Sequence, residues 1–150
     1  MKFAFDIDGV LCTVSITTLR MLDMMPEETR NQVEPYYYRE QKPLLNPELF
    51  LALGDEYIVI TGRSEKFRQD TETWLKKFCP NCKKLIMANL LPAYDNNVED
   101  WSKKQAELKS KIINEEKIDV YFEDNGTCVD HLRSLCPNTK IIQFGGRIGS

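Results

Sequence analysis

The feature that most narrows the fold is a recurring pair, a short strand-like run followed by a stretch with helical spacing. Strand-like runs stand at 3–7, 57–60, 85–88, 120–122 and 140–144. Tyr57-Ile58-Val59-Ile60 is too short for a helix and free of charge, as a strand buried on both faces requires. Asn46-Pro47-Glu48 reads as a helix start, with Asn as cap and Pro at the first helical position. That helix is expected to run through 49–53 until Gly54 stops it. Ser64 caps a second helix, in which Phe67, Trp74, Leu75 and Phe78 keep roughly helical spacing. Residues 102–116 and 126–135 supply two more. Strands alternating with helices of this length make βαβ units, so the expected class is α/β with a parallel sheet.

A length of 150 residues suits one domain, 1–150, with a core of its own. One stretch breaks the alternation. Residues 13–43 hold a helical piece, a Pro-Glu-Glu break and Tyr36-Tyr37-Tyr38, too much for an ordinary βα loop. They read as an insertion over the carboxyl edge of the sheet, a small cap or lid. Three consecutive tyrosines cannot all face one way, so at most two of them reach a ligand. Residues 145–150 read as a loose tail.

The net charge of -3 and pI near 5.3 argue against a domain held to nucleic acid by overall charge, while leaving room for a local basic groove. No apolar run approaches the roughly 20 residues of a membrane span. Asp6 and Asp8 interrupt the N-terminal apolar run, so it is no signal peptide, and a cytoplasmic protein is the simplest reading. Five scattered cysteines make no disulfide framework. Cys79-Pro80-Asn81-Cys82 lacks a second ligand pair for zinc and ends a helical run, so it reads as a plain turn. His131, alone in its type, reads as a helix-surface residue.

In parallel α/β sheets ligands bind beyond the carboxyl ends of the strands. Three such ends are chemically unusual here: Asp6-Ile7-Asp8-Gly9, Thr61-Gly62-Arg63 and Glu123-Asp124-Asn125. Clustered carboxylates repel one another and need a cation, and all-oxygen ligation suits magnesium. A carboxylate can then attack phosphate, and a second carboxylate can supply the proton for the leaving oxygen.

Asp6-Ile7-Asp8-Gly9-Val10 resembles the DxDG signature of the haloacid dehalogenase superfamily. Val59-Ile60-Thr61-Gly62-Arg63 resembles its second motif and Tyr121-Phe122-Glu123-Asp124-Asn125 its fourth, in order along nearly the whole chain. The resemblance implies a five-stranded, Rossmann-like parallel sheet with the first strand central. It implies Asp6 as nucleophile and metal ligand, and Asp8 as general acid and base with its backbone carbonyl on the metal. It further implies Thr61 on a phosphoryl oxygen, Gly62 and Arg63 at the substrate, and Asp124 on Mg2+ with Glu123 beside it. The third motif is a lone lysine before the fourth, for which Lys103, Lys104, Lys109 and Lys111 are candidates. Lys104 is preferred, as a first-turn residue with Leu108 and Ile112 on the same face. Relatives that cleave carbon–halogen bonds resemble DxY at the first motif, so Asp8 favours phosphate chemistry. Glu123-Asp124 stands where the family usually shows Gly-Asp or Asp-Asp.

The expected activity is therefore a magnesium-dependent phosphomonoesterase working through an aspartyl-phosphate. The small insertion and the Tyr-Phe-Glu-Asp cluster loosely resemble the phosphatase domain of polynucleotide kinase and the nucleotidase branches. A nucleotide or a nucleic-acid end phosphate is the favoured substrate. Sugar phosphates, a phosphotransferase, and a catalytically idle binding or regulatory module are the alternatives.

Overall fold

The computed structural model describes residues 1–90, 98–145 and 147–148. Its sheet contains β1 (Lys2–Phe5), β3 (Glu56–Thr61), β4 (Leu85–Met87), β5 (Val120–Glu123) and β6 (Lys140–Gln143). They lie in the order β4-β3-β1-β5-β6, all neighbours parallel, so the first strand is central as expected. Register brings the chemistry together. Phe5 pairs with Val59 on one side and Phe122 on the other, so Asp6, Thr61 and Glu123 emerge at one edge.

Alternate residues of the central strands feed two cores, the period-2 consequence of a pleated strand. Ala4, Ile58, Ile60 and Tyr121 face one side, where Ala106 and Ile113 of α4 (Val98–Glu115) and Val129 and Leu132 of α5 (Gly126–Leu135) cover them. Phe5, Tyr57 and Val59 face the other, against Trp74 and Leu75 of α3 (Arg68–Phe78). Phe5 stacks on Phe122 at 4.7 Å. Each fully buried side chain of this size contributes about 1.5–3 kcal/mol.

The insertion leaves the sheet through a tight loop in which the Ile7 carbonyl accepts from the amides of Val10, Leu11 and Cys12. It continues through β2 (Val14–Ser15), α1 (Ile16–Met24) and α2 (Glu27–Arg39). Ser15 caps α1 by accepting from the Thr18 amide at 3.2 Å, and Pro26 separates the helices. The chain then returns beside its own departure. Thr13 donates to the Lys42 carbonyl at 2.9 Å, Leu44 to Leu11 at 2.7 Å and Leu45 to Val10 at 3.2 Å. Trp74 fixes this seam from α3, donating its indole N–H to the Gln41 carbonyl at 2.7 Å.

Two expectations change. Residues 46–53 form only a 3-10 turn, Pro47–Leu49, although Asn46 caps it as expected by accepting from the Glu48 amide at 3.0 Å. The apolar run 49–53 has no polar face to turn to water, and Phe50 instead packs edge-on against Phe3 and Phe5. The tail, read as loose, contributes a two-residue strand, β7 (Arg147–Ile148), parallel to β2. Residues 146, 149 and 150 lie outside the described residues.

The seam makes a stability prediction. Trp74→Phe removes a buried donor and strands the Gln41 carbonyl, which costs about 1–3 kcal/mol. Urea unfolding should show that loss in the midpoint with little change in slope.

Candidate active site

The site is built around Asp6, the first residue past β1. Its Oδ1 lies 3.3 Å from Lys109 Nζ, and the same ammonium donates to Glu123 Oε2 at 2.7 Å. Lys109 and Glu123 side chains are both 0% exposed, so this ion pair sits in the protein interior. Glu123 is fully engaged. Its Oε2 also accepts from the Tyr121 hydroxyl at 3.0 Å, while Oε1 accepts from the amides of Asp124 and Asn125 at 3.2 and 3.4 Å. Asn125 in turn caps α5, accepting from the Cys128 amide at 3.0 Å.

Oxygens of Asp6, Glu123 and Asp124 all lie within 4.8 Å of one another. Asp124 rests on the loop after Asp8. A Cβ at Gly9 would stand 2.2 Å from Asp124 Oδ2, and the Gly9 φ of +83° is one that side chains avoid, so this position requires glycine. Burial pushes the Asp6 carboxyl well above the usual range; Glu123 adds to this, Lys109 opposes it, and Asp124 and Asp8 add further. Burial also works against charge on Lys109, but Asp6 and Glu123 outweigh it and keep the ammonium protonated.

Asp8 faces a different set. Arg63 grips it with two bonds, Nε to Oδ2 at 2.9 Å and Nη2 to Oδ1 at 2.7 Å. Gln41 Nε2 donates to the same Oδ1 at 3.0 Å, and Arg63 Nη2 also bonds Gln41 Oε1. Arg63 is held in place by Thr71 Oγ1 at 3.1 Å and by the Tyr38 ring, 4.4 Å beneath its guanidinium.

A cleft of about 460 Å³ opens above these groups, lined by Asp6, Asp8 and Thr61 on the sheet edge and by Tyr37 and Tyr38 of the insertion. The structure thus brings Asp6, Asp8, Thr61, Gly62, Glu123 and Asp124 to one edge. It does not bring Lys104. Helix α4 starts at Val98, so Lys104 is past its first turn, exposed, and on the same side as the exposed Leu108. The buried face carries Ser102, Gln105, Ala106, Lys109 and Ile113, and Lys109 is the lysine that reaches Asp6. Lys103 and Lys111 are also exposed. Arg63 lines the cleft, largely buried, with its fork on Asp8. Among the tyrosines, Tyr36 turns outward and the next two line the cleft. His131 does not line it, and all five cysteines are free, with Cys79 and Cys82 in a turn closed by the Cys82 amide on the Cys79 carbonyl. Gln41 and Gln105 were not foreseen. Gln105 lies one turn before Lys109, whose burial the helix pattern does not mark, and nothing near Gln41 in sequence marks it either.

No family model matches the sequence, and no curated protein does either. Solved structures do match. A chain of the Pnkp1/Rnl/Hen1 RNA repair complex aligns over 95% of this chain at 19% identity with a TM-score of 0.61. Another structure of that complex aligns over 99% at 19% identity and 0.59. This chain spans less than half of those chains, 42% and 47%. A haloacid dehalogenase-like protein of unknown function from Agrobacterium tumefaciens aligns over 97% of this chain and 83% of its own, at 14% identity and a TM-score of 0.54. The fold is haloacid dehalogenase-like. On this fold two strand ends carry the carboxylates, Asp6 and Asp8 after β1 and Glu123 and Asp124 at the end of β5, and Thr61 ends β3 between β1 and β4. No described helix is long and apolar enough to cross a membrane.

The raised Asp6 carboxyl predicts a pH effect. The folded state holds this proton at pH values where the unfolded chain, with a carboxyl near about 3.9, has released it. Stability contributed by the protonated form is therefore lost as pH rises through the folded value. Asp6→Asn, neutral at every pH, should melt above wild type in chelator at neutral pH, with the gain shrinking toward about pH 4. An equal difference at both pH values would mean that folding does not raise the Asp6 carboxyl.

Proposed function

We propose that this HAD-like chain is a magnesium-dependent phosphomonoesterase with Asp6 as nucleophile. The observation that carries the reading is a carboxylate on the cleft floor, backed by a buried lysine and flanked by a second carboxylate from the neighbouring strand end. The residues fit a divalent cation. Three carboxylates against one ammonium leave two negative charges, and the donors are all oxygen, the preference of magnesium. Asp6 and Asp124 would hold the ion, together with the Asp8 backbone carbonyl, while Glu123 stays on Lys109. Bound there, magnesium supplies charge neutralisation and polarises the phosphoryl group.

The protein groups divide the remaining work. An Asp6 oxygen attacks phosphorus, the ester P–O bond breaks, and the leaving oxygen takes a proton from Asp8. Asp8 then takes a proton from the water that cleaves the aspartyl-phosphate, releasing inorganic phosphate and restoring Asp6. Lys109 offsets the charge that gathers on the phosphoryl oxygens, and the Thr61 hydroxyl hydrogen-bonds one of them. Arg63 and Gln41 fix the direction in which Asp8 points. The aromatic cleft and the fold shared with chains of an RNA repair complex support a nucleotide or nucleic-acid end phosphate as substrate.

The test is a phosphate-release screen with magnesium across nucleotides, sugar phosphates and end-phosphorylated oligonucleotides. Asp6→Asn should abolish turnover in a protein that still melts cooperatively, and retained activity in that variant would remove the nucleophile. Asp8→Asn separates the acid from the nucleophile. It should lose about 10²–10⁴-fold on a poor leaving group and far less on nitrophenyl phosphate, whose leaving group needs little protonation. Equal losses on the two esters would deny Asp8 the acid role.

A further inference from the structure

One polar group in the cleft takes no part in the chemistry just described. Gln105 lines the cleft from α4 and is 6% exposed. Its Oε1 is buried with no hydrogen-bond partner, and its Nε2 lies against Gly62, 3.2 Å from where a Cβ there would sit. A buried polar atom left unpaired is costly, so a ligand that hydrogen-bonds this carboxamide recovers part of that cost. Trp101, a further turn along α4, lines the same cleft.

Positions 101, 105 and 109 share one face of the helix, because residues four apart are neighbours on its surface. Four residues rise about 6 Å. A phosphate seated on Asp6, at the level of Lys109 behind it, therefore meets a carboxamide about 6 Å outward and an indole about 12 Å outward. Phosphate, hydroxyl-bearing sugar and flat base follow one another in that order and on that scale in a nucleoside phosphate. The opposite wall offers Tyr37 and Tyr38, and about 460 Å³ falls within the usual range for a small-molecule site.

We propose that Trp101 and Gln105 form a nucleoside subsite, in which the Gln105 carboxamide hydrogen-bonds a sugar hydroxyl and Trp101 packs on the base. This deepens the phosphatase reading and rests on it for the position of the phosphate. Charge selects a mononucleotide over a polynucleotide end. Among the described residues the outer cleft carries Arg30 and Lys66, but Asp23 and Glu34 cancel them. A nucleic-acid strand needs a positive track for its backbone, and these four side chains provide none.

The experiment compares wild type, Gln105→Leu and Trp101→Leu on three substrates with magnesium: a nucleoside monophosphate, acetyl phosphate and an end-phosphorylated oligonucleotide. Each substitution should lower kcat/KM on the mononucleotide about 10-fold or more, chiefly through KM, and leave acetyl phosphate within about 2-fold. Equal losses on mononucleotide and acetyl phosphate overturn the subsite, because they describe a structural role. An oligonucleotide turned over better than the mononucleotide overturns the choice of ligand. Calorimetric titration of nucleoside monophosphate and inorganic phosphate into Asp6→Asn protein separates this inference from the one beneath it. If wild type releases phosphate from no ester, the phosphatase reading fails. The subsite then stands only if the nucleotide binds at least about 10-fold tighter than phosphate, and Gln105→Leu or Trp101→Leu removes the difference. Equal binding of the two ligands overturns it.

Discussion

The contact on which the rest of the site depends is the ammonium of Lys109, buried between Asp6 and Glu123. Glu123 could not stay ionised at that depth without it, and desolvating the lysine alone would be equally unfavourable. Removing the lysine or Glu123 is far more damaging than never having built their pair, because the other is left charged in a poor dielectric. The Tyr121 hydroxyl and two backbone amides complete the arrangement by filling the remaining acceptor positions of Glu123. That leaves Asp6 as the member of the trio that meets the cleft. The charge geometry and the chemical geometry are therefore one feature: what stabilises the buried lysine also points a carboxylate outward.

A second network, around Asp8, has a different character. Arg63 leaves the sheet after β3, Gln41 comes from the end of the insertion, and Tyr38 comes from α2. Three separate segments thus converge on one carboxylate, whereas Asp6 is held wholly by the sheet and α4. The two aspartates are only two residues apart in sequence, yet they answer to different parts of the molecule.

Much of this was legible in the chain. Buried parallel strands announce themselves as short β-branched runs, and the carboxylates at their ends stand out because charge is rare there. The lysine was not legible, since the identity of the inward face of α4 depends on where the helix begins and how it rolls on the sheet. Leu108 suggested one face, but it is exposed, while Lys109 beside it is buried by its ion pairs. A charged residue inside the core defeats any argument from hydrophobic periodicity. Gln41 was hidden for another reason, because its contact with Asp8 spans a whole insertion. The run 49–53 misled because apolar content alone fixes neither helix nor loop without a polar face to complete the pattern.

The seam where the insertion returns has an evolutionary consequence. Residues 10–13 pair with 42–45, so the two ends of the excursion lie side by side and are clasped before α1 begins. Loop-closure entropy rises only slowly with the length enclosed, so a longer or shorter excursion between the same clasped ends changes the free energy little. The stretch between Ser15 and Gln41 is in effect an interchangeable cassette. A different excursion between the same clasped ends would leave the sheet and Asp6 in place and change the support that Tyr38 gives to Arg63 beneath Asp8.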